Sequence, residues 1–160
     1  MSGLDAVGEG RALEEVIVER TDHAVIVADA DGAIRFWNPA AEAMFGHTRD
    51  EAIGSSLALI IPAQLRARHW DGYRRVMATG ETDYAGRTLA VPAVRADGTR
   101  ISVEFTVTLL PGEDGAVAGI AAIVRDVTER WNEQRALRRR LAELEHALAE
   151  RDPSGEAPSG

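Results

Sequence analysis

The chain has 160 residues, 45% of them hydrophobic and 28% charged, and a net charge of −8. That is room for one domain with its own core plus short extensions, and the balance excludes a disordered or membrane-embedded chain. The acidic charge argues against nucleic acid as the main partner, and the absence of cysteine removes disulfides, thiolate metal sites and cysteine nucleophiles.

Residues 1–11 are acidic and small, lack the basic-then-apolar order of an export signal, and are expected to be flexible. No apolar run is long enough to span a membrane, so the expected location is the cytoplasm. Residues 10–21 set Leu13, Val16 and Val18 among acids, which predicts a short amphipathic helix. Two strand-like runs follow, His23–Ala28 and Ala33–Trp37, around a turn at Asp29–Gly32. Asn38-Pro39 ends the second run and starts a helix through Ala40–Phe45. Thr48 and Glu51 have capping-box spacing, so another small helix is expected before Gly54.

Leu57–Pro62 leads into a longer helix over Ala63–Ala78, ended by Thr79-Gly80. Three strands are predicted beyond it, Tyr84–Val94, Thr99–Leu110 and Ala116–Arg125, separated by turns at Arg95–Gly98 and Pro111–Gly115. In the middle strand Ile101, Val103, Phe105, Val107 and Leu109 alternate with Ser102, Glu104, Thr106 and Thr108, the period of a sheet with one buried face. From Thr128 the pattern changes to a helix in which Leu137, Leu141, Leu144 and Leu148 alternate spacings of four and three, a seam that wants a partner helix. The tail, residues 152–160, is polar and rich in Pro and Gly, and is expected to be disordered. The fold class is α+β, a five-stranded antiparallel sheet with helices on one face plus a C-terminal coiled-coil helix. The domain covers 12–127 and the dimerisation helix 128–151.

Residues 12–130 resemble the PAS family, through VIVADADGAIRFWNPAAEAMFGHTRDEAIG, the turn RADGTRISVEF, and GIAAIVRDVTER, whose Asp126-Val127-Thr128 is the usual link to an output helix. Within it, PAQLRARHWDGYRRVMATGE is similar to the haem-bearing PAS domains of rhizobial oxygen-sensing histidine kinases. That resemblance implies haem b bound through His69 as its sole protein ligand, with Arg75 meeting a propionate. It also implies that Arg87 answers to bound oxygen and that Phe105 and Val107 form the apolar distal side. The family's second propionate partner, a His before the strand, is missing: Asp83 or Tyr84 stands there.

Read from the residues alone, Leu65, His69, Gly72, Tyr73 and Val76 follow the spacing of one helix face, so His69 and Tyr73 point with the apolar set. Arg66, Arg74 and Arg75 lean to solvent or to the edge of that face. A neutral imidazole suits haem iron, and with no Cys and Met only at positions 1, 44 and 77 His is the credible axial donor in this chain. Ile101, Val103, Phe105, Val107 and Leu109 would supply an apolar floor, and Gly119, Ala121 and Ala122 are small enough to leave volume for a flat macrocycle. Arg75 and Arg87 are charge-assisted donors for propionates.

Two other readings of His69 and its surroundings stay open here. His69 can be an ordinary core histidine, which would make the chain a cofactor-free dimerisation module. The domain can also hold flavin or a small organic ligand, though not by a covalent cysteine adduct. The other histidines, His23, His47 and His146, lack a second metal donor at ligand spacing. The expectation is therefore a sensor of oxygen, carbon monoxide or nitric oxide. It is a homodimer that signals through its C-terminal helix to a downstream protein or output domain, and it is not an enzyme.

Overall fold

A computed structural model describes residues 12–82 and 88–151 of the chain. The chain divides into two units, residues 1–126 and residues 127–160. The first unit contains α1 (Leu13–Arg20), the hairpin β1 (Ala24–Asp29) and β2 (Ile34–Trp37), α2 (Pro39–Phe45) and α3 (Arg49–Ala52). Single 3-10 turns at Leu57–Ile60 and Ala63–Leu65 then lead into α4 (Arg66–Thr79), followed by β3 (Leu89–Val94), β4 (Arg100–Pro111) and β5 (Val117–Asp126). The helix expected from Ala63 thus begins one turn later, after that tighter turn. Of the strand expected over Tyr84–Val94, residues 83–87 lie outside the described residues.

The strands form one antiparallel sheet in the order β2-β1-β5-β4-β3. Pro92 is tolerated because β3 is an edge strand. Registers carry the cross-strand rows Ala24–Val124–Phe105, Ile26–Ala122–Val107 and Ala28–Ile120–Leu109 onto one face. Val91 and Ala93 continue that face opposite Val103 and Ile101. The helices cover it. Trp37 and Phe45 are fully buried with ring centroids 5.5 Å apart, and Ile34, Ala41, Ala52 and Tyr73 join the same cluster.

Local chemistry accounts for the elements. Thr48 and Glu51 make the reciprocal capping box that starts α3. Asn38 is buried and fully satisfied: its side-chain oxygen accepts from Val25 N (2.9 Å) and Ala41 N (3.0 Å). Its amide nitrogen donates to the carbonyls of Val18 (2.9 Å) and His23 (3.0 Å). One side chain therefore caps α2, closes β1 and ties down α1. The second unit is the single helix α5 (Thr128–Arg151), on which Leu137, Leu141, Leu144 and Leu148 are 55–65% exposed.

Candidate functional site

α4 presents the face that its spacing predicts. Leu65, His69, Gly72 and Val76 are half-buried and Tyr73 is buried, while Arg66, Arg68, Asp71, Arg74 and Arg75 are exposed. Arg74 pairs with Asp71 at 2.7 Å, and Arg75 is exposed.

His69 sits in an aromatic group. Its ring centroid lies 4.8 Å from Trp70, edge to face, and 5.9 Å from Tyr73. Its Nδ1 is buried and has no hydrogen-bond partner among the described residues. Burial holds the imidazole below its usual titration range, so at neutral pH the ring is uncharged and keeps a lone pair. A buried polar atom without a partner is uncommon in a folded protein and calls for an explanation.

Two contacts fix α4 over the β1–β2 hairpin. The Tyr73 hydroxyl donates to the carbonyl of Asp29, and burial, with Asp29 and Asp31 nearby, pushes that phenol up to about 12. Trp70 lies on Gly32, where a Cβ would run into the indole ring; Gly32 also has φ +83°, which favours glycine. The turn beneath is braced by Asp29, whose carboxylate accepts from the backbone of Asp31 and Ala33 at 3.0 Å and pairs with Arg35 at 2.7 Å.

The same end of the sheet is the least covered part of its inner face. Ile101 and Val103 are buried, whereas Phe105, Val107, Leu109, Ile120 and Ala122 are only half-buried although their register turns them toward the helices. This apolar floor lies beside the strand end to which Tyr73 ties α4.

Some expectations need correction. Of Gly119, Ala121 and Ala122, only Ala122 faces inward. Gly119 pairs with Asp29 and Ala121 with Val27, on the alternate row. A Cβ at Gly119 would collide with the carbonyl oxygen of Ala28, so this glycine admits a neighbouring strand, not a ligand. Arg87 lies outside the described residues, as do Asp83 and Tyr84. Sequence reasoning missed the part played by Trp70, whose bulk pairs with the missing side chain of Gly32; an aromatic residue on the apolar side of α4 was the available signal. The His47 Nε2 is also buried without a partner, in the connection between α2 and α3. His146 makes an i,i+4 contact with Glu150 at 3.3 Å on α5.

Comparison with known proteins places these features in a lineage. The family model described as PAS fold matches residues 18–132. An uncharacterised protein of Azorhizobium caulinodans is 42% identical over 129 residues, covering 80% of this chain and 17% of that protein. Sensor protein FixL of Bradyrhizobium diazoefficiens is 30% identical over 130 residues, covering 81% and 25%. Oxygen sensor protein DosP of Escherichia coli is 28% identical over 123 residues, covering 77% and 15%. The chain thus spans a quarter or less of the length of these relatives. Among solved structures, a PAS domain from Colwellia psychrerythraea superposes with a TM-score of 0.64 at 20% identity, over 72% of this chain and 95% of that one. With a strand order, a helix-covered inner face and a matched span that all agree, the chain belongs to the PAS family of sensory domains.

Proposed function

We propose that this chain is a haem-based sensor of a diatomic gas, with haem b as cofactor and His69 as the sole protein ligand to its iron. The observation that carries the reading is His69 itself, a neutral imidazole with a buried nitrogen that no group among the described residues satisfies. Among the described residues, no three His, Cys, Asp or Glu side chains gather where they could hold a metal ion. A lone imidazole suits a metal that brings its own equatorial donors, as porphyrin iron does. The half-covered apolar floor and the similarity to a protein named as an oxygen sensor support the same reading.

When bound, haem would supply an iron able to take up oxygen, carbon monoxide or nitric oxide. The chain's own residues divide the rest. His69 donates a ring lone pair to the metal, and Trp70 and Tyr73 hold its helix on the hairpin. Tyr73 also lines the cofactor, as a phenol that stays neutral at physiological pH. Arg75, at the solvent edge of α4, meets a propionate. Phe105 and Val107 form the apolar wall on the gas side, where water is kept out. Arg87 would serve as the cation that answers to a propionate or to bound gas. A ligand that favours one arrangement of β4 and β5 biases a two-state element, and β5 runs directly into the link to α5. The domain regulates and does not catalyse. It works in the cytoplasm as a homodimer joined through α5 and signals to an output domain or a separate protein.

Hemin added to the purified protein is expected to give a Soret band that saturates at one haem per chain, and His69→Ala is expected to abolish or shift it. An identical spectrum in that variant rejects His69 as the ligand. Colourless dimeric protein would favour a cofactor-free pairing module, and a flavin spectrum in place of haem would assign the pocket to that cofactor.

A further inference from the structure

His69 and Trp70 are neighbours on α4, and successive side chains leave a helix about 100° apart. Their rings nonetheless stand edge to face, with centroids 4.8 Å apart and planes at 73°. Tyr73 completes the triangle, its ring 5.5 Å from that of Trp70 at 77° and 5.9 Å from that of His69 at 36°. Both flanking rings are held from outside α4, by the β1–β2 turn. The Tyr73 hydroxyl donates to the carbonyl of Asp29. The Trp70 indole fills the space that a side chain at position 32 would need, since a Cβ there would meet its Cζ3 and Cη2. That turn is itself closed: the Gly32 amide donates to the Asp29 carbonyl at 2.9 Å, and the Asp29 carboxylate accepts from Asp31 and Ala33.

A histidine placed to hold a metal is ordinarily oriented through its second ring nitrogen, which donates to a carboxylate or a carbonyl. Among the described residues nothing of that kind stands at Nδ1 of His69. The last torsion of a histidine side chain is broad and does not choose an orientation by itself. What remains to choose it is the pair of neighbouring rings, which make the tilted and edge-to-face contacts that aromatic groups prefer. Trp70 is the nearer of the two.

We propose that Trp70, backed by Gly32, is a positioning residue for His69, and that packing against the indole fixes the plane of the imidazole where a hydrogen bond would otherwise do so. Any side chain at position 32 would displace the indole, so the glycine belongs to the same device. The purpose of this arrangement rests on the reading of His69 as an axial ligand. The packing itself belongs to the chain without cofactor, and is tested there as well.

In the haem-free full chain the two carbon-bound ring protons of His69, assigned by their loss in His69→Gln, are expected to give unequal NOEs to the Tyr73 ring. Trp70→Leu is expected to make them equal, because the imidazole is then free to turn. Trp70→Leu and Gly32→Ala are each expected to raise the hemin dissociation constant roughly tenfold, as loss of a ligand's orienting partner does in metal sites. Trp70→Phe keeps a ring edge and is the milder change if the leucine variant fails to fold; it is expected to fall between the intact protein and that value. Gly32→Ala added to Trp70→Leu is expected to weaken hemin no further, because the indole it displaces is gone. Additive losses overturn the inference, since they put the effect in the backbone at position 32, where φ is +83°. NOEs that stay unequal in Trp70→Leu, or hemin affinities unchanged in both single variants, also overturn it and leave His69 as the ligand. An intact chain that binds no hemin removes the haem reading instead, and the NOE comparison then decides the inference alone.

Discussion

His69 is partly buried and held neutral, and that state has a consequence for pH. Its folded value lies below its ordinary 6.5 because burial disfavours the charged ring. Protons therefore bind the unfolded chain first, and this residue's contribution to stability is present above about pH 6.5 and lost as pH falls toward the lower folded value. The urea midpoint of the haem-free protein is expected to drop across that window, and His69→Gln is expected to flatten the drop; parallel profiles would refute it. Asn38 is a second single-residue test. Asn38→Ala strands the buried amides of Val25 and Ala41 and frees two carbonyls, at a cost of roughly 3 kcal/mol. Chemical denaturation measures it, and a loss below about 1 kcal/mol would mean that water replaces the side chain readily.

At the scale of elements, α4, the β1–β2 turn and β5 act as a stack. Tyr73 and Trp70 hold α4 on the turn, and β1 lies so close to β5 that only glycine fits at position 119. Gly119→Ala is expected to destabilise by roughly 2–3 kcal/mol, because the obstacle is backbone and cannot rotate away; an unchanged thermal midpoint would contradict that close approach. Much of this was legible in the sequence. The alternation from Ile101 to Leu109 identified the inner face of β4, the Thr48/Glu51 spacing started α3, and turn glycines marked the hairpins. The face of α4 followed from its 3.6-residue period. What was not legible depends on tertiary placement. A small residue on a strand looks like room for a ligand until the register shows which way it points, and so Gly119 and Ala121 were misread. Trp70 on Gly32 joins residues far apart in the chain, which no local pattern records.

At the scale of the whole molecule, a PAS domain precedes a helix whose leucines face solvent, and the two tasks are separable. The domain offers an imidazole nitrogen without a partner among the described residues and a half-covered apolar floor, and α5 offers exposed leucines at alternating spacings of four and three. No helix among the described residues is long and apolar enough to cross a membrane. The helix of residues 128–151 and its leucine stripe were readable from spacing alone, because helix periodicity is local. The cofactor was not, because a histidine on an apolar face has the same pattern whether iron or protein meets it. The most direct test removes the imidazole and returns it as a free molecule. His69→Gly loaded with hemin is expected to lose the Soret band of the intact protein and to regain it when imidazole is added. A His69→Gly spectrum identical to that of the intact protein, unmoved by imidazole, would contradict ligation by His69 and with it the gas-sensing account.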